Sequence, residues 1–197
     1  MLQDKLKSYN LILASGSPRR QRFFKDLGLD FEIRLKPVKE EYPPTLRHFE
    51  ITNYLAQLKS LPFKNELTNK DILVTSDTIV WFQDKALGKP RDANEAFKII
   101  RSLSGNTHEV ITSVCVKHMD FQKTVYDVTK VTFKVLTDDE IWYYINNFSP
   151  YDKAGGYGIQ ECFGFIAVTH IEGSYFNVMG LPTHLVYETL NSLVSQT

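Results

Sequence analysis

The stretch Ser15-Gly16-Ser17-Pro18-Arg19-Arg20 leaves an apolar run and lands on two positive charges. A strand, a small-residue loop and a helix start make a cradle for an anion. Backbone N–H groups at a helix N-terminus point at the ligand, and the helix dipole favours negative charge. Ser15 and Ser17 add hydroxyls, Gly16 permits close backbone approach, and Arg19 or Arg20 can fork onto phosphate oxygens. The spacing and the Lys-Ser/Thr ending of a Walker loop are missing. The competing reading is an ordinary turn followed by solvated arginines.

A second signal is Asp77 in "VTSDTIVW". An acid inside an apolar β run is costly to bury unless it is used or paired, so Asp77 is a candidate general base or metal ligand. Lys59 lies on a helical pattern, Lys89 in a loop before Pro90, and Lys153 beside a glycine loop. Each alone reads as a surface charge; together they can grip a polyphosphate. Glu40 and Glu41, in a proline-bounded loop, read as solvent-facing or as a metal carboxylate opposite Asp77. His108 is a candidate base, though a histidine hydrogen-bonded at a strand start is preferred. Gln160 ends the glycine loop, where its amide can read a base edge.

The elements that must position these groups are legible in part. "YNLILAS" reads as a buried strand, with Pro18 opening a helix that Gly28 closes. "DFEIRLK" alternates like a strand, and residues 46–61 carry helical periodicity. "DILVTSDTIVWF" is a strand interrupted by polar residues, and Asp92 caps a helix running to Gly105. "THEVITSVCVKH" and "KTVYDVTKVTFKVL" read as two long antiparallel strands joined near residues 119–122. Thr137 and Glu140 form a capping box. "FGFIAVTHIEG" and "YFNVM" read as short strands, and Pro182 starts a last helix. The sum is mixed α/β, expected as one domain over residues 1–197.

The totals bound the function. The chain has 197 residues, 43% of them hydrophobic, so it can bury a core. Lysine plus arginine number 23, and so do aspartate plus glutamate. Zero net charge argues against a general binder of nucleic-acid polymers or membrane surfaces, so any anion site is local. The N-terminal stretch does not have the pattern of a secretory signal, and no apolar run reaches spanning length. Cys115 and Cys162 stand apart, without Cys-x-x-Cys spacing, as expected of reduced thiols in a cytoplasmic protein.

"LILASGSPRR", "SDTIV", "LGKP", "LSGNTHEVITSV", "DKAGGYGIQ" and "VMGLP" occur in an order and spacing that resemble the Maf family of nucleoside triphosphate pyrophosphatases, from about Leu11 to Leu190. The resemblance implies a mixed α/β fold with an elongated twisted sheet flanked by helices. It implies two lobes around a cleft, as in inosine triphosphate pyrophosphatases. It implies a cytoplasmic homodimer that cleaves a nucleoside triphosphate to monophosphate and pyrophosphate with Mg²⁺ or Mn²⁺. By resemblance the general base falls on Asp77, the phosphate loop on Ser15, Ser17, Arg19 and Arg20, and the lysines on Lys59, Lys89 and Lys153. The loop carboxylate, a metal ligand with Asp77, falls on Glu40, with Glu41 allowed by the register. Two positions depart from the family pattern: Ser60 and Gly156 stand where alanine is usual.

Within the family, Arg, Thr and Gln at three pocket positions resemble the subgroup acting on dTTP and UTP. Here these are Arg19, Thr78 and Gln160. The 7-methyl-GTP subgroup has Trp, Gln and Glu there. Uracil and thymine present acceptor, donor and acceptor along the pairing edge, which an amide can match, whereas guanine offers adjacent donors that suit a carboxylate. Ser15, Ser17 and Arg20 then read as phosphate grips and Arg19 as part of the selectivity set. Modified pyrimidine triphosphates would show nearly the same edge. The alternatives are 7-methyl-GTP hydrolysis and a nucleotide-binding regulator of cell division.

Overall fold

In a computed structural model, residues 1–119 and 121–195 are described. The connection expected near residues 119–122 includes Asp120, which lies outside them. The elements in chain order are α1 (Leu2–Leu6), β1 (Asn10–Leu13), α2 (Pro18–Asp26), β2 (Glu32–Ile33), α3 (Phe49–Ser60), β3 (Asp71–Phe82), β4 (Lys85–Leu87), α4 (Ala93–Leu103), β5 (Thr107–His118), β6 (Phe121–Phe133), α5 (Asp138–Phe148), α6 (Cys162–Ala167), β7 (Val168–Glu172), α7 (Tyr175–Val178) and α8 (Thr183–Leu193). Short 3₁₀ turns intervene.

Among the described residues the strands form one mixed sheet in the order β2-β1-β3-β5-β6-β7, with β4 paired to β3. β1 runs parallel to both β2 and β3, while β3–β4 and β6–β7 are antiparallel. β3 is central, and its first seven residues are all buried, so both faces of this half of the strand are covered and its polar residues Asp71, Thr75, Ser76 and Asp77 are enclosed with its apolar ones. Helices flank the sheet, giving the mixed α/β class expected.

The chain divides into two compact units. Unit 1 comprises residues 1–77, 112–127 and 180–197; unit 2 comprises 78–111 and 128–179. In unit 1, Ile12, Leu73 and Phe63 pack together, which seats β1 and β3 against the turn after α3. α3 buries Ile51, Thr52, Leu55, Ala56 and Ser60 on one face. Thr52 and Ser113 share a 2.6 Å hydroxyl hydrogen bond, which ties α3 to β5. In unit 2, α4, α5 and α6 bring Ile100, Ile141, Tyr144 and Phe163 together with Val131 and Phe133 of β6.

Local signals explain the well-read elements. Pro18 is the first residue of α2, and Gly28, at φ 66°, follows its end. The Asp92 side chain accepts from the Glu95 N–H at 2.8 Å, and the Thr137–Glu140 capping box is formed. His108 lies buried near the start of β5, with Nε2 on the Tyr157 hydroxyl at 2.7 Å. Burial pushes its pKa down to about 3, so it is a neutral core histidine, as preferred from sequence.

Four expectations are corrected. The first half of "FGFIAVTHIEG" is helical, because Gly164 lets α6 turn directly over the Ile159 carbonyl; only Val168–Glu172 is strand. "YFNVM" is also a helical turn: the Ser174 hydroxyl caps the Asn177 N–H, and the Asn177 amide donates inward to the Val110 carbonyl at 2.9 Å. Of the alternating "DFEIRLK" only Glu32 and Ile33 form strand, on the outer side of β1. The helix expected over 46–61 begins at Phe49, because His48 adopts a positive φ of 51°.

Candidate active site

Asp77 is positioned by β3 and α3. The Thr75 hydroxyl donates to the Ala56 carbonyl at 2.6 Å, which fixes that face of β3 against α3. Strand side chains alternate, so Asp77 returns to the same face two residues on, and Lys59 lies three residues beyond Ala56, just under one helical turn. Lys59 Nζ donates to Asp77 Oδ1 at 2.7 Å and lies 3.0 Å from Glu40 Oε1. Glu41 instead pairs with Lys39 at 2.7 Å, on solvent. Geometry thus separates the two glutamates: Glu40 is the one at Lys59.

Asp77 is only 6% exposed. Burial raises its proton affinity; Lys59 and then Arg20 oppose that, and the net direction is up. The carboxylate is a stronger base than an exposed aspartate, held beside cations that favour its charged form. Two carboxylates converging on one ammonium also show that the spot suits a cation. The oxygen pair fits a hard divalent ion, which commonly takes one or two carboxylates and completes its shell with water and phosphate oxygens. Among the described residues no group of three or more His, Cys, Asp or Glu side chains forms a metal cage.

The loop of Ser15 to Arg20 lies in the same unit. The Ser17 N–H donates to Ser15 Oγ at 3.3 Å, and no side-chain oxygen caps α2. Arg20 donates through Nε to the Gly180 carbonyl at 2.8 Å, and through Nη1 to the Ser76 carbonyl at 3.2 Å and to Ser15 Oγ at 3.4 Å. Arg20 therefore ties the loop to β3 and to the segment before α8, and its charge reaches Asp77. A Cβ on Gly16 would meet only Leu35, at 3.7 Å, an ordinary contact. The protein's own packing leaves room there. Arg19 is half-buried on the first turn of α2.

Unit 2 holds Thr78, Lys89, Lys153 and Gln160. Thr78 follows Asp77 along β3 and is half-buried on the opposite face. The Lys89 and Lys153 loops are joined: the Gly155 N–H donates to the Gly88 carbonyl at 3.0 Å, and Gly156 sits over Pro90. Lys89 is exposed, whereas Lys153 is buried, with its Nζ 2.7 Å from Asp152 and 3.1 Å from Glu161. Gln160 lies in the turn closed by the Glu161 N–H donating to the Gly158 carbonyl at 3.1 Å. Glu161 and Tyr144 escaped the sequence reading. Tyr144 lies in an amphipathic helix, and nothing in the local pattern marks either residue as a partner of Lys153.

Residues 10–193 match the family model described as Maf-like protein. The chain belongs to the Maf family. Among its Maf relatives, a protein of Flavobacterium johnsoniae named dTTP/UTP pyrophosphatase is 66% identical over 194 residues, covering 98% of this chain and all of that one. Another of the same name, from Flavobacterium psychrophilum, is 55% identical over 187 residues, covering 95% of this chain and 96% of that one. The solved Ham1 protein of Staphylococcus aureus is similar in fold, with TM-score 0.52 at 15% identity, over 93% of this chain and 99% of that one. Among the described residues of this Maf chain, no helix is long and apolar enough to cross a membrane.

Proposed function

We propose that this chain hydrolyses dTTP and UTP to the monophosphate and pyrophosphate. The observation that carries this is the buried Asp77, held ready by Lys59 and Arg20 in the unit that also presents the Ser15–Arg20 loop. The names of the similar curated proteins support the same reading.

Asp77 accepts the proton of a water that attacks the α-phosphorus in line with the departing pyrophosphate oxygen. Its raised proton affinity strengthens it as a base, while Lys59 stabilises the ionised form it must start from. The P–O bond to the β-phosphate breaks, and charge accumulates on the leaving pyrophosphate. Lys89, Lys153 and the N–H groups of the Ser15–Arg20 loop spread that charge. Gly16 and Gly88, which carry no protein contact that a Cβ would violate, allow phosphates to come close to the backbone. Glu40 and Asp77 would hold a divalent cation, Mg²⁺ or Mn²⁺, which neutralises phosphate charge when bound. Gln160 offers the amide that matches the uracil or thymine edge, with Arg19 and Thr78 completing the selectivity set. Modified pyrimidine triphosphates with that edge are substrates on the same argument. A cytoplasmic homodimer is the assembly proposed with it; both cysteines being free thiols fits a reducing compartment.

Pyrophosphate release across the common nucleoside triphosphates and 7-methyl-GTP tests the reading. dTTP and UTP are expected to lead; no release from any nucleotide would leave a binding protein, and a 7-methyl-GTP preference would overturn the selectivity set. In Gln160→Glu, the carboxylate loses the donor for a base carbonyl, so kcat/KM for dTTP and UTP falls about a hundredfold. An unchanged nucleotide preference in that variant removes Gln160 from base reading.

A further inference from the structure

Glu161 occupies the N-cap position of α6, yet its side chain does not cap that helix. It points the other way. Oε1 lies 3.1 Å from Lys153 Nζ, and Oε2 accepts the Tyr144 hydroxyl at 2.5 Å. Burial first, and the Glu161 contact next, push the Tyr144 phenol far up from its ordinary value, so it is the donor to the carboxylate. The same Tyr144 oxygen accepts the Gly158 N–H at 2.9 Å. The Glu161 N–H closes the turn on the Gly158 carbonyl. The carboxyl also packs where a Cβ on Gly158 would lie, 2.7 Å from Glu161 Cδ. The second carboxylate at Lys153, Asp152, has a side chain 60% exposed against 22% for Glu161. An exposed partner of that kind is weak and replaceable; the enclosed one sets the geometry.

We infer that Glu161 is a positioning residue that locks the Lys153 ammonium to the Tyr144-anchored turn carrying Gln160. It rests on the reading above, in which Lys153 holds phosphate and Gln160 reads the base. One carboxylate then sets both groups: one oxygen aims the ammonium, and the other, through Tyr144, holds the turn. A substrate that fits the base subsite meets a lysine already in register. The helix forgoes a cap to keep this arrangement.

The test is a double-mutant cycle of Glu161→Gln and Lys153→Met, read as kcat/KM for dTTP and CTP, with thermal unfolding followed on every variant. Glutamine keeps the size, and with its one oxygen kept on the Tyr144 hydroxyl it turns an N–H donor toward the ammonium. Glu161→Gln is expected to lower kcat/KM for dTTP about tenfold and to narrow the preference for dTTP over CTP. In the Lys153→Met background the same change is expected to lower kcat/KM for dTTP by well under tenfold, because the ammonium it aims is gone, while the narrowed preference for dTTP over CTP, which runs through the Tyr144-held turn, persists. Additive losses overturn the inference, as does native kcat/KM in Glu161→Gln. If Lys153→Met itself is fully active, the role of Lys153 fails and the inference falls with it; an impaired Lys153→Met beside a native-like Glu161→Gln sinks only the inference. Tyr144→Phe, which removes the other arm of the clamp with little change in volume, is expected to narrow the dTTP preference. Unchanged selectivity there counts against the clamp even if Glu161→Gln folds poorly.

Discussion

Asp77→Asn is expected to lower kcat for dTTP about a thousandfold, within the range that a positioned general base contributes. Asparagine keeps the shape and can still accept from Lys59, but it cannot take the proton of the attacking water. The fold tolerates the change. Burial, the largest influence on Asp77, favours the neutral form, and Lys59 keeps Glu40 as a partner. Because the Asp77 pKa is raised, the native protein loses activity as pH falls through a value above the ordinary carboxylate range. The residual rate of Asp77→Asn does not follow that acid limb. Steady-state pyrophosphate release from about pH 4 to pH 9 checks both points. A fully active asparagine variant, or an identical acid limb in both proteins, removes Asp77 as the base.

Gly164→Ala is expected to cost more than about 3 kcal/mol of stability, a loss reserved for changes the structure cannot absorb. A Cβ there would lie 1.8 Å from the Ile159 carbonyl oxygen and 2.5 Å from its carbon. Both are backbone atoms, so no side-chain rotation relieves the contact. The segment around Ile159 must move away from α6, taking with it the turn that carries Gln160 and the Glu161 clamp. Urea unfolding of the two proteins measures the loss, and any folded fraction should turn over dTTP poorly. A variant with a native midpoint would mean that α6 does not cross Ile159 so closely.

Elements whose signals are local were legible in the sequence. Pro18 and Gly28 bracket α2, Asp92 caps α4, Thr137 and Glu140 box the start of α5, and the apolar run around Asp77 is a strand from Asp71 to Phe82. Short helices inside apolar, β-branched stretches were not. α6 depends on a contact with Ile159 that periodicity does not encode, and α7 on one serine hydroxyl and the buried Asn177 amide. The same division runs through the candidate site. Asp77 stood out because a carboxylate in an apolar strand is costly. The pairing of Lys59 with both Asp77 and Glu40 spans separate elements, and only the position of α3 over β3 separates Glu40 from Glu41. Arg20 carries a second job that its type alone does not announce, tying Ser15, Ser76 and Gly180 together. Tyr144 and Glu161 are 17 residues apart and meet through the packing of α5 against α6.

In the proposed reaction water attacks the α-phosphorus of dTTP rather than the β-phosphorus. Hydrolysis of dTTP in ¹⁸O-water, with both products analysed by mass, reads which phosphorus is attacked. The label is predicted in the thymidine monophosphate, with unlabelled pyrophosphate as the other product; label in the pyrophosphate, or release of orthophosphate in its place, would contradict it.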